Sequence, residues 1–269
     1  MAFDWTNALP GVLLLILTGW LGAFVAGMLG VGGAIVLFPL LLAGPARFGL
    51  DPLPPATISG VVLVQVALAM SLATWQHGRS GRIDWSLVRP LGIAAAAGAI
   101  LGGFVSGRAP EAVILWTFAG LASCSALAIA WPVKPGPPVD AGVTPPPRRD
   151  PFTPAIAAVI GLFSGVSGLG GAILLVPVLR WTRRLEPHQL VVTTPPIVAV
   201  TALSGLVGKL VGGPLAWDVA VCLALGTLHG APLGARTGQR LSPGILRWLL
   251  TAAIAASALQ VAWRAAHAP

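Results

Sequence analysis

The sequence predicts an all-α polytopic membrane protein built as two inverted repeats, each a Gly-broken re-entrant hairpin followed by three transmembrane helices. Three observations predict it. The first is composition: of 269 residues 56% are hydrophobic and 9% charged, and the mean hydropathy is +0.87. A soluble domain of this size cannot hide so much apolar surface. The second is a duplicated stretch. Residues 27–39, GMLGVGGAIVLFP, return at 165–177 as GVSGLGGAILLVP, and an offset of 138 superposes Gly27, Gly30, Gly32, Gly33, Ala34, Ile35, Leu37 and Pro39 on identical residues. The third is how lysine and arginine divide between the two sides of the membrane.

Eight apolar segments follow one another, at about 10–42, 57–75, 85–105, 111–131, 154–179, 190–211, 215–237 and 245–263. A helix crosses a bilayer in about 20 residues, so the first segment is too long for one straight crossing. Its clustered glycines mark where a helix would break. Broken backbone at membrane depth must be buried in protein or line a cavity, because unpaired amides are costly in lipid. Between the fourth and fifth segments runs PVKPGPPVDAGVTPPPRRDP, too rich in proline for a helix and read as a solvated linker. It divides the chain into a first repeat, 1–131, a cytoplasmic linker, 132–152, and a second repeat, 153–269.

If all eight segments crossed once, the sixteen cations would fall evenly on the two sides. If segments one and five instead dip in and return, twelve share one side, leaving only Arg47, Arg108, Lys209 and Arg264 opposite. A cytoplasmic excess of positive charge is the rule for membrane proteins. The charges therefore favour hairpins, and with hairpins the two halves are inverted.

The pI near 11.4 invites a nucleic-acid reading. The basic residues, however, lie scattered in short loops without an aromatic ladder, so no nucleic-acid partner is predicted. Cys124 and Cys222 both fall inside spans and suggest neither a disulfide nor a metal site. Most of the ten Trp sit at span ends, as an aromatic belt does. No cationic leader precedes the first apolar segment, which is therefore expected to be retained.

Gly32-Gly33 and Gly170-Gly171 each precede a short apolar run ending at Pro39 or Pro177. If these runs are half-helices, their free amides and dipoles attract an anion at mid-membrane without any charged side chain. A single glycine cluster would equally serve close helix packing. Two matched clusters in over-long segments favour a site. The acids agree, since Asp4, Asp51, Asp84, Glu111, Asp140, Asp150, Glu186 and Asp218 all fall at span ends or in loops. Cation and proton carriers usually keep a carboxylate inside the membrane.

Several polar side chains surround the breaks. Ser59 and Thr194 stand at matching places early in segments two and six, with Thr57 and Thr193 beside them, and Ser164 and Ser167 flank Gly168. Each hydroxyl alone is also compatible with a back-bond to its own helix. Gln65 is the strongest single choice, because an amide buried in lipid demands a partner. His229, the one titratable side chain near the middle of a span, either gates a proton or pairs with the anion, or else sits neutral against a hydroxyl. No catalytic residue, metal ligand set or cofactor is predicted. The expected partners are a small anionic substrate and the lipid bilayer. An oligomer is compatible with the sequence but not predicted by it.

At these motifs, Gly27-x-x-Gly30-x-Gly32-Gly33 with Pro39 and Gly165-x-x-Gly168-x-Gly170-Gly171 with Pro177, the chain resembles the TauE/SafE/YfcA family of membrane anion exporters. The resemblance covers nearly the whole chain. It implies a secondary transporter of sulfite, sulfoacetate or a related organosulfonate in the bacterial inner membrane, working by alternating access. Ala34 and Ala172 stand where the family often has a third glycine, and Ala56-Thr57-Ile58-Ser59 and Val191-Val192-Thr193-Thr194 loosen its small-x-Gly-Thr-Ser element. The resemblance puts those positions next to the substrate. The competing expectations are a passive anion channel and a non-catalytic assembly factor.

Overall fold

The structure is a computed structural model that describes residues 9–29, 33–47, 52–78, 83–130, 152–182, 187–213, 215–238, 240–241 and 243–267. Those residues form ten helices and no strand: α1 (Leu9–Leu29), α2 (Ala34–Arg47), α3 (Pro55–Gly78), α4 (Trp85–Ser106), α5 (Glu111–Ala130), α6 (Phe152–Ser167), α7 (Ala172–Thr182), α8 (Pro187–Gly212), α9 (Trp217–Gly238) and α10 (Pro243–Ala266). Seven are long and apolar enough to cross a membrane. The expected linker lies, but for its last residue, outside the described residues.

The two over-long segments are indeed interrupted at their glycines, giving α1 and α2 in one half and α6 and α7 in the other. With 16 and 11 residues, α6 and α7 reach only about 24 and 17 Å at 1.5 Å per residue. Neither spans a core of about 30 Å. By contrast α1, with 21 residues, is long enough to span alone, so the two broken segments are unequal. The expectation that each short run ends at its proline is corrected. Pro39 and Pro177 lie inside α2 and α7, which run on to Arg47 and Thr182. Apolar surroundings explain this, since neighbouring helices can compensate the one backbone bond a proline removes.

Acids begin helices. Asp84 caps α4, its Oδ1 accepting from Ser86 N (3.0 Å) and Ser86 Oγ (2.6 Å). Glu111 and Asp218 occupy the first turns of α5 and α9, where the helix dipole favours negative charge. The belt is also present, for Trp75, Trp85, Trp181, Trp217, Trp248 and Trp263 are all exposed near helix ends.

Glycine sets the packing. Methyl groups on Gly226, Gly230, Gly234 and Gly238 of α9 would strike backbone atoms of Ile16, Trp20, Phe24 and Met28 of α1 in turn. On α4, Gly98 and Gly102 meet the backbone of α6 at Ala158 and Leu162 in the same way. Small residues let helix backbones touch, the main route to helix association in lipid. Both interfaces run parallel, while α3 and α8 cross antiparallel, Gly60 lying near Lys209 and Leu63 near Gly205.

Exchanging the halves preserves these neighbours. The α1·α9 contact has its counterpart in α6·α4, α2·α10 in α7·α5, and α2·α3 in α7·α8. The centre belongs to α3 and α8, whose spanning windows are 61% buried against at most 44% for the other spans.

Candidate functional site

The second break shows how the chain turns. Gly168 N donates to Ser164 O (2.8 Å), closing α6, and Leu175 N donates to Gly171 O (3.0 Å), opening α7. Between them Gly168, Gly170 and Gly171 hold φ of 82°, 69° and 82°. That left-handed region costs an L-residue about 1–2 kcal/mol, and only glycine enters it routinely. At the first break Val36 N and Leu37 N donate to Gly33 O (3.1 and 2.9 Å), opening α2.

Each new helix folds back over the one before it. A methyl on Gly33 would lie 2.7 Å from Gly22 O and 3.0 Å from Ala26 Cβ, 11 and 7 residues upstream. A methyl on Gly171 would meet Ile160 and Ser164, at the same two separations. Beyond the Val36, Leu37 and Leu175 amides already bonded to Gly33 and Gly171, the first-turn amides of α2 and α7 have no acceptor within their own helices. They lie beside the breaks, at the positive ends of the helix dipoles.

Both breaks abut one helix at one depth. The methyl on Gly33 would stand 2.9 Å from Gln65 Nε2, and one on Gly170 would stand 2.5 Å from Val66 Cγ1. Consecutive residues of α3 thus face the two breaks. Gln65 is fully buried, and neither its Oε1 nor its Nε2 has a hydrogen-bond partner. Buried polar atoms normally find one. Ser164 Oγ, 3.5 Å from the Gly171 methyl position, and Thr194 Oγ1 are likewise buried and unpartnered. Of the described residues only Ser125 carries a further orphaned side-chain atom of this kind.

The other predicted residues sort clearly. Ala34 and Ala172 are fully buried as the first residues of α2 and α7. Gly168 packs on Ser59, since a methyl there would strike the Ser59 carbonyl. Ser59 Oγ donates to Ala56 O (2.8 Å) and Ser167 Oγ to Phe163 O (2.9 Å), so both take the back-bonded role. Thr193 is buried and Thr57 half-buried. Gly30 and Gly32 lie outside the described residues.

His229 is not brought together with these residues. It is exposed on the outer side of α9, because that helix buries Val219, Ala220, Leu223, Gly226, Thr227, Gly230 and Gly234, a stripe His229 does not share.

Sequence reasoning missed Lys209. Assigned there to the membrane surface, it is only 7% exposed, and its Nζ donates to Ser59 Oγ (2.6 Å) and Ser106 Oγ (2.5 Å). The available signal was its place in GLVGKLVGG, within an apolar run long enough to span. An ionisable side chain in such a run is a site hypothesis by default.

Seven apolar helices, two broken segments and orphaned polar groups where the breaks meet the central helix define a polytopic membrane transporter. The chain belongs to the TauE/SafE family: the family model described as sulfite exporter TauE/SafE matches residues 15–261. Similar proteins include the probable membrane transporter protein MJ0441 of Methanocaldococcus jannaschii, 22% identical over 93% of this chain and 94% of the relative. The probable membrane transporter protein YunE of Bacillus subtilis is 25% identical over 85% and 89% of the two chains. The probable membrane transporter protein MamO of Magnetospirillum gryphiswaldense is 25% identical over 91% of this chain but 42% of its own length. No solved structure matches.

Proposed function

We propose that the protein is a secondary transporter that exports a small sulfur oxyanion, such as sulfite, sulfoacetate or a related organosulfonate, across the bacterial inner membrane by alternating access. The observation that carries the reading is the set of buried, partnerless polar groups, Gln65, Ser164 and Thr194, two of which adjoin the glycine breaks. An amide with two unmet polar atoms and the open amides of two helix starts make a cradle for oxyanion oxygens. The substrate class is supported by the family's description.

Alternating access is supported by the neighbours kept when the halves are exchanged, and by parallel α1·α9 and α4·α6 beside antiparallel α3·α8. In this reading residues 1–131 and 153–269 are inverted repeats, segments one and five re-enter, and one repeat rocks against the other about the shared site.

Vesicles reconstituted with the protein and loaded with sulfite, sulfoacetate or methanesulfonate test it. Saturable efflux above empty vesicles is expected. Flux that never saturates would mean a channel, and no flux with any of the three at several pH gradients would overturn the reading.

A further inference from the structure

Resting on that reading, we propose that Lys209, with Ser59 and Ser106, forms a charged station for the transported anion, distinct from the glycine cradle and set at one mouth of the pathway. The location follows from the helices. Ser106 is the last residue of α4, Lys209 lies in the last turn of α8, and Ser59 is in the second turn of α3. Three helix ends therefore converge on one ammonium near one membrane face. Along α3, Ser59 stands six residues from Gln65, or about 9 Å at 1.5 Å per residue. Gly168 of the second break rests on the Ser59 carbonyl, which makes the station continuous with the cradle.

The station lacks a counter-charge. The Lys209 stem packs over Gly60, where a methyl would lie 3.5 Å from its Cδ and 2.5 Å from Leu215 Cδ1. An ammonium has three donors, and the two serines take two of them. The acids that open the next helices at this end, Glu111 of α5 and Asp218 of α9, are both exposed. Among the described residues no carboxylate forms an ion pair with Lys209. Arg108, two residues beyond Ser106, lies exposed over the Phe104 ring (4.2 Å) and adds positive charge to the same mouth. A buried, unpaired charge is costly, and a small oxyanion supplies both the missing acceptor and the missing charge. The bare cradle binds through neutral dipoles, so the lysine adds a selection for charge at this mouth.

The alternative role is a clasp that ties α3, α4 and α8 together, and one titration separates the two. Purified full-length protein in detergent is titrated with sodium sulfite while the unfolding midpoint is followed, since a ligand that binds only the folded state raises it. For Lys209→Gln, sulfite affinity is expected to fall about tenfold or more, the scale of one lost charge-assisted hydrogen bond. Lys209→Arg should stay within about threefold of the parent, and Ser106→Ala, which frees a donor but loosens the ammonium, should weaken sulfite by a few-fold. A lower midpoint without sulfite but an unchanged affinity in Lys209→Gln identifies a clasp and overturns the proposal. If Lys209→Gln does not fold, an unchanged affinity in Ser106→Ala overturns it instead. Loss of sulfite binding in Gln65→Met with full binding in Lys209→Gln leaves the transport reading standing and removes the station. A parent protein whose midpoint no oxyanion moves refutes both.

Discussion

Gln65→Met separates stability from function at the centre of this site. The wild-type amide is fully buried with both polar atoms unpartnered. A buried group left unsatisfied costs about 1–3 kcal/mol, and methionine removes both polar atoms while keeping an unbranched, adaptable stem. The variant should therefore unfold at a higher midpoint than the parent without anion, by a stabilisation of about 1–3 kcal/mol. The same change deletes a hydrogen bond to a charged substrate, worth about 1.5–3 kcal/mol, or roughly 10–100-fold in affinity. Anion-induced stabilisation and vesicle efflux should fall together by that factor. The assay is a thermal unfolding series with and without sulfite, paired with efflux from vesicles of equal protein content. A variant that is less stable than the parent yet transports at the parental rate would refute the reasoning, because Gln65 would then be satisfied by the fold and unused by the substrate.

Further outcomes follow from the glycines and from His229. Gly168→Ala places a methyl against the Ser59 carbonyl at a φ of 82°, so it should cost more than the ~1–2 kcal/mol of the left-handed conformation alone and lower folded yield in detergent. Gly120→Ala is its control, with nothing within 4 Å, and should be neutral or up to ~1 kcal/mol stabilising. Gly102→Ala and Gly234→Ala drive methyls into the carbonyls of Leu162 and Phe24. Ordinary helix propensity would favour both, yet both should lower the unfolding midpoint, to a similar degree, because the two interfaces correspond. His229→Ala, on the exposed side of α9, should leave efflux and its pH profile unchanged, and a lost pH dependence would return this residue to the site.

Glycine spacing made both breaks legible, since φ above zero and close backbone approach are demands that no other residue meets as cheaply. Gln65 was legible for a related reason: a primary amide inside an apolar run stands out against lipid solubility. What stayed hidden depended on direction around a helix. His229 and Lys209 are both isolated polar residues in apolar runs, yet one faces outward and the other inward. Only packing against α1 and α3 decides between them, because α9 and α8 carry glycine and small residues on more than one side. The prolines misled for a physical reason as well. In water Pro39 and Pro177 would tend to end a helix, whereas within an apolar bundle the helices run through them.

The most direct test is a density map of the protein with bound selenite, an electron-rich analogue of sulfite. Its strongest peak should lie against Gln65, within hydrogen-bonding distance of the first-turn amides of α2 and α7. A peak remote from Gly33, Gln65 and Gly170 alike, or a map in which segments one and five each form a continuous rod, would contradict an oxyanion held between two helix starts on α3.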